Sequence, residues 1–122
     1  MGLIKKIEDL LTWQQARDLN KLVYELTGRK NFIKDNELKK QLRKSSKSIV
    51  LNIAEGHGRN TKKEFSRFLF IANGSLSEVQ AGLYVALDQG LIDFNDFKEV
   101  YGKSESVSNL ISGLLKYLNK NN

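Results

Sequence analysis

The chain has 122 residues, 20 Lys and Arg against 14 Asp and Glu, a net charge of +6, one histidine, and neither cysteine nor proline. The length suits a single domain, and the absence of cysteine together with a lone His57 excludes a disulfide framework, a thiolate nucleophile and the common zinc sites, so no metal and no cofactor is expected. An apolar fraction of 40% can build a core, while no stretch reads as a membrane span or a secretory signal, so a cytoplasmic protein with no membrane partner is expected. The missing proline fits long unbroken helices joined by short loops.

Residues 1–11 stand apart as a lead-in segment. Leu3, Ile4, Ile7 and Leu10 are apolar but out of phase with the helix that follows, so they are expected to pack on the bundle or on a neighbouring subunit. The first helix opens at Thr12-Trp13-Gln14-Gln15, which reads as a capping box. Trp13, Ala16, Leu19, Val23 and Leu26 form its apolar stripe, and Gly28 stops it. The second runs from about Asn36 to Glu55, with Leu38, Leu42, Ser45, Ile49 and Ile53 as its stripe and Gly56 as its stop.

The third helix, about Lys62 to Gln89, starts at the capping box Thr61-Lys62-Lys63-Glu64 and stops at Gly90. At about 100° per residue its apolar residues, from Phe65, Phe68 and Leu69 to Ala86 and Leu87, share one face. The fourth follows Asp93 as N-cap. It is lined by Phe94, Phe97, Val100, Tyr101, Val107, Leu110, Ile111, Leu114, Leu115 and Leu118. Gly102 and Gly113 weaken it, since an interior glycine costs about 1 kcal/mol against alanine. No segment alternates with period two. Residues 12–122 are therefore expected to form one all-α domain, an antiparallel up-down four-helix bundle.

The charge is concentrated. Residues 29–67 hold 12 Lys and Arg against 4 acids, and the remaining residues hold 8 against 10. On the second helix Lys39, Lys40, Arg43, Lys44 and Lys47 fall within an arc of about 140°, opposite the apolar stripe. Arg59, Lys62, Lys63 and Arg67 continue the excess into the third helix. A cation row without interleaved acids disfavours a helix but suits a polyanion. Contact with nucleic-acid phosphates through these nine residues is preferred over a face that only aids solubility.

Phe70, Gly74, Ala81, Tyr84 and Val85 lie on the third helix away from its core stripe. Large apolar residues beside small ones suggest a subunit interface, and an oligomer would multiply a weak phosphate affinity. The densest polar cluster is Asn52 to Arg59. Glu55 and His57 could be an acid/base pair, but the structural reading is stronger. Gly56 ends a helix, Gly58 makes a turn, and Glu55 pairs with Arg59 to fix the corner. Ser75 and Glu78 lie mid-helix and are expected to bond across helices. No enzyme is expected.

The residues also resemble a family. Glu8-Asp9-Leu10, Trp13-Gln14, Ala16-Arg17 and Tyr24-Glu25-Leu26-Thr27 look like its opening. Gln41-Leu42-Arg43, Ser48-Ile49, Asn52-Ile53-Ala54-Glu55-Gly56 and Gly58-Arg59 look like its middle, followed by Lys63-Glu64-Phe65, Arg67-Phe68-Leu69 and Gly74-Ser75-Leu76-Ser77-Glu78. The chain is similar to the bacterial four-helix-bundle proteins encoded in intervening sequences of 23S ribosomal RNA genes. The accessory variability proteins of diversity-generating retroelements are their relatives. The resemblance implies a ring oligomer, typically a pentamer. In the retroelement branch it implies nucleic-acid binding and work with a reverse transcriptase. The alternative it raises is a protein-interaction scaffold that docks such a partner. Two positions where the family often has proline are Ile33 and Val50 here, and Val50 is expected to leave the second helix straighter.

Overall fold

The computed structural model describes residues 6–120. Four helices, α1 (Leu11–Thr27), α2 (Asn36–Gly58), α3 (Lys62–Asp88) and α4 (Phe94–Asn119), are joined by short connections, and the described residues contain no strand. Each helix packs on the two beside it, in the cyclic order α1, α2, α3, α4, which is a four-helix bundle. No helix among the described residues is long and apolar enough to cross a membrane.

Side chains start three of the helices, at Thr61 and Asp93 as the sequence predicts and at Asp35 without such a prediction. Asp35 Oδ1 accepts from Leu38 N at 3.0 Å, Thr61 Oγ1 from Glu64 N at 3.1 Å, and Asp93 Oδ1 from Asp96 N at 2.8 Å. Each satisfies an amide that the first turn leaves without an intrahelical partner. The start of α1 differs. Its N-cap is Leu10, with no side-chain cap, and Thr12 is buried inside the first turn. Gln14 reaches back instead, its Nε2 donating to Glu8 O at 2.6 Å. Leu10 is buried in the core and Ile7 packs against it, so the end of the lead-in belongs to this bundle. Leu3 and Ile4 lie outside the described residues.

α3 ends as predicted, at Asp88, with Gly90 at φ +72°. α2 does not stop at Gly56. It runs on to Gly58, and Asn60 at φ +62° turns the chain instead. Gly56 is there for packing. A Cβ on it would sit 2.7 Å from Phe68 Cβ and 3.1 Å from Phe65 Cδ1, so the glycine lets α2 and α3 approach closely. α2 also passes through Val50 without a break, and the Val50 carbonyl accepts from Trp13 Nε1 at 3.1 Å.

The core contains Leu19, Val23, Leu42, Ile49, Ile53, Leu69, Leu76, Leu83 and Ile111, all essentially inaccessible to solvent. Phe32, on the 3-10 stretch Lys30–Asp35, is fully buried too, and so fixes the connection from α1 to α2. Two stripe assignments shift. Ser46 rather than Ser45 is buried on α2, where its hydroxyl donates to Asn20 Oδ1 at 2.7 Å. Phe94, counted with the α4 stripe, is exposed at the first turn.

Candidate nucleic-acid interface

The outward face of α2 is set by what its other faces do. Leu38, Leu42, Ile49 and Ile53 point to the core. Ser48 faces α3, its hydroxyl 2.7 Å from that of Ser75. Arg43 and Val50 face α1. Lys40, Lys44 and Lys47 remain, at a spacing of four and three residues that stacks them along one exposed stripe. Among the described residues none of these three makes an ion pair. Lys39 is half-buried beside them, and Lys62 and Lys63 are exposed at the first turn of α3.

Arg43 has a different occupation. Its Nε donates to Thr27 Oγ1 at 2.8 Å and its Nη2 to Tyr24 O at 3.1 Å. Its guanidinium lies 4.4 Å from the centre of the Tyr24 ring. Thr27 in turn donates to Val23 O at 2.7 Å. Arg43 therefore closes the C-terminal end of α1, where carbonyls are short of partners and a cation is favoured. Replacing it with alanine is expected to cost about 1–2 kcal/mol of stability, in keeping with hydrogen bonds to a charged group. Its effect on nucleic-acid affinity should be smaller than that of Lys44→Ala. Urea melts and a binding titration on the two variants check this.

Arg59 and Arg67 are also engaged. Arg59 Nε pairs with Glu55 Oε2 at 2.8 Å, and its Nη1 lies 3.6 Å from Glu64 Oε1. Arg67 holds Glu64 through Nε at 2.9 Å and Nη2 at 3.3 Å. The two guanidiniums lie 5.1 Å and 4.3 Å from the centre of the same Phe68 ring. The hydrogen bond from Arg67 holds the Glu64 carboxyl below its usual range, and the charges of Arg67, Arg59 and Lys63 add to that. The network should thus be intact above the ordinary carboxylate range. It should loosen as pH falls through the lowered Glu64 value. The Glu64 carboxylate turns to these arginines, so the second half of the predicted capping box is replaced by an ion-pair corner.

Ser75 and Glu78 bond across the α2–α3 seam as expected, while Gly58, expected to make a turn, is the last residue of α2. Asn52 Nδ2 donates to Ser48 O at 2.8 Å and to Ser48 Oγ at 3.0 Å, and that hydroxyl meets Ser75. Ser45 Oγ donates to Glu78 Oε2 at 3.4 Å. Gly58 closes α2 in open space, where an added Cβ would meet nothing within 4 Å. His57 is half-buried, its ring set edge-on to Phe65 at 5.9 Å. These are the bonds of a packed seam.

The five residues expected to form an interface lie along α3 in different surroundings. Phe70 is 63% exposed, and Gly74 is open on the same outer face of α3. Ala81 and Val85 line a groove against α2, with Leu38 and Leu42 at its floor and Asp35, Glu37 and Glu78 around it. Tyr84 turns towards α4, its ring 4.8 Å from Phe97 and 5.4 Å from Tyr101. Sequence reasoning misses that aromatic cluster. It also misses the Lys103 bridge from α4 to Asp18 (3.6 Å) and Gln15, and the Gln80–Ser104 bond at 3.0 Å. The spacing of the aromatics along α4 is visible in the sequence, but the partner on α3 is not.

Comparison with known proteins agrees with this architecture. The 23S rRNA-intervening sequence protein family matches over residues 8–113. No curated protein matches significantly. A solved structure from Bacteroides thetaiotaomicron, described as a protein with unknown function from the S23 ribosomal protein family, superposes with a TM-score of 0.79. It is 18% identical, and the match covers 87% of this chain and 99% of that one, which speaks to the fold alone.

Proposed function

The chain belongs to the 23S rRNA-intervening sequence protein family, and from that premise we propose that it is a non-enzymatic, cytoplasmic, nucleic-acid-binding helical bundle that works as a homo-oligomer. The observation that carries this reading is the stripe of Lys40, Lys44 and Lys47. These cations are exposed, stacked on one face, and without an ion-pair partner among the described residues. Lysines that only stabilise a fold are usually interleaved with acids at i,i+4; these are not. Lys62 and Lys63 extend the cationic surface across the corner. The contacts are with phosphates, so the affinity is salt-dependent and largely independent of sequence.

The exposed Phe70, Gly74 and Val85 support self-association, for which a ring is the assembly and a pentamer the expected number. Each copy then adds one lysine stripe, and the stripes act together through effective concentration. The same exposed apolar residues favour a second reading, a scaffold that docks a partner protein such as a reverse transcriptase, with the basic face serving solubility.

Gel-shift titration of the full chain against a structured RNA and a DNA duplex, at low and moderate salt, tests the first reading. Light scattering runs beside it. Binding that weakens steeply with salt is expected from a particle several times the chain mass. An oligomer that binds neither nucleic acid at low salt would remove the first reading and leave the scaffold. A monomer would remove the ring and the multiplied affinity together.

A further inference from the structure

We infer that Arg59 and Arg67, seated on Phe68, form a stacking platform for unpaired nucleobases; this rests on the nucleic-acid reading above and assigns these residues a role different from that of the lysines. The two arginines make poor phosphate hooks. Arg59 Nε is given to Glu55, and Arg67 Nε and Nη2 to Glu64, and those carboxylates offset their charge. A phosphate arriving there would meet two acids as well as two cations. The lysines of α2 carry no such counter-charge, so the phosphates belong to them.

What the arginine corner offers is planar surface. Phe68 is 9% exposed, with one guanidinium 5.1 Å and the other 4.3 Å from its ring centre. The arginine side chains nevertheless keep 47% and 53% of their surface in solvent. A guanidinium that rests on a ring has a second face for another flat partner. Arginine planes stack on nucleobases, and the charge adds a cation–π contribution. The carboxylate clamps hold both groups in place before a ligand arrives, so less side-chain freedom is lost on binding.

The surroundings fit the same ligand. Lys62 and Lys63, on the first turn of α3, are exposed beside the corner and can take the phosphates that flank a stacked base. The chain turns away at Asn60, and a Cβ at Gly58 would meet nothing within 4 Å, so the approach from the α2 end is open. The base must be unpaired. In a duplex the base faces are already covered by their neighbours, whereas loops, bulges and single strands leave them free. The ligand class is therefore a single-stranded or looped segment of nucleic acid.

The test uses the full-length protein and two single-stranded oligonucleotides of equal length and charge. One has normal bases and the other carries abasic residues throughout its central part. Fluorescence anisotropy is read at several salt concentrations. The abasic strand should bind about tenfold more weakly with an unchanged salt slope, because base stacking is lost and the phosphates are kept. Equal affinity for the two strands would overturn the platform while leaving phosphate binding standing. Binding of neither would overturn the nucleic-acid reading and the platform with it. The double variant Arg59→Lys/Arg67→Lys keeps both charges but not the planes, and a thermal melt confirms its fold. It should bind the two strands alike, with the salt slope of the unaltered protein. A folded double variant that still prefers the normal strand would show that the bases are held elsewhere.

Discussion

Alanine at Lys40, Lys44 and Lys47 together should lower affinity for a structured RNA by about two orders of magnitude near 0.1 M salt. It should also make the salt dependence shallower by about two to three in the log–log slope, since each lost phosphate contact removes about 0.9. The prediction comes from three observations taken together. The residues share a stripe, they are exposed, and no carboxylate among the described residues neutralises them. The same variant should be at least as stable as the parent. Lys40 and Lys44 are like charges one turn apart, and removing that repulsion is worth a few tenths of a kcal/mol, at about 0.2–0.5 per pair. A variant that binds weakly and melts late cannot owe its defect to unfolding. Titrations at three salt concentrations, with a urea melt on the same protein, give both numbers. An unchanged slope would mean that the lysine stripe meets no phosphate.

Setting Arg43 beside those lysines explains why the sequence blurs them. On the helical wheel Arg43 sits among Lys39, Lys40, Lys44 and Lys47, and nothing local distinguishes it. The difference lies on α1, where the Tyr24 carbonyl and the Thr27 hydroxyl meet its guanidinium. Local periodicity shows which side of a helix is buried, because that depends on one residue every three or four. It does not show which polar side chains find a partner on another helix, because that depends on the neighbour's register. The four helices, the N-caps Thr61 and Asp93 and the Gly90 stop are legible for the first reason. The Glu55–Arg59 pair, local at i,i+4, is legible too; the role of Arg43 is not, for the second. The neighbours of Tyr84 are hidden likewise: its wheel position points away from the α3 core, and Phe97 and Tyr101 of α4 lie against it.

Thr12 and Gly56 show a related limit. Both look like punctuation, because threonine often starts helices and glycine often ends them. Thr12 lies a residue inside α1, and Gly56 lies two residues short of the end of α2. In each case burial, not backbone termination, decides what the residue does. A glycine whose missing side chain admits a neighbouring helix looks the same in sequence as one that stops its own. Phe65 and Phe68, which explain it, are 9 and 12 positions further along the chain.

Gly56→Ala should therefore be the most destabilising single-methyl change in the bundle, at about 3 kcal/mol, the upper end of the range for overpacking a core. The added Cβ would meet Phe68 Cβ at 2.7 Å and the Phe65 Cα at 3.3 Å. Neither atom can swing aside, because both are fixed by the α3 backbone, so the helices must separate. Gly82→Ala gives the comparison. Its Cβ would come within 2.6 Å of Leu42 Cδ2, the far end of a flexible side chain that can rotate away, so the loss should be smaller. Gly102→Ala and Gly113→Ala meet nothing within 4 Å and should stabilise α4 by up to about 1 kcal/mol each, the helix preference of alanine over glycine. In thermal melts Gly56→Ala should fall by roughly 10 °C while the two α4 variants rise. If Gly56→Ala melts with Gly82→Ala, the close approach of α2 and α3 is not held at this point. The site should respond as well. Phe68 carries both Arg59 and Arg67, so forcing α3 away from Gly56 moves the seat on which they rest. In a Gly56→Ala protein that remains folded at low temperature, the preference for normal over abasic strands should shrink, while the salt slope set by the distant lysines of α2 holds.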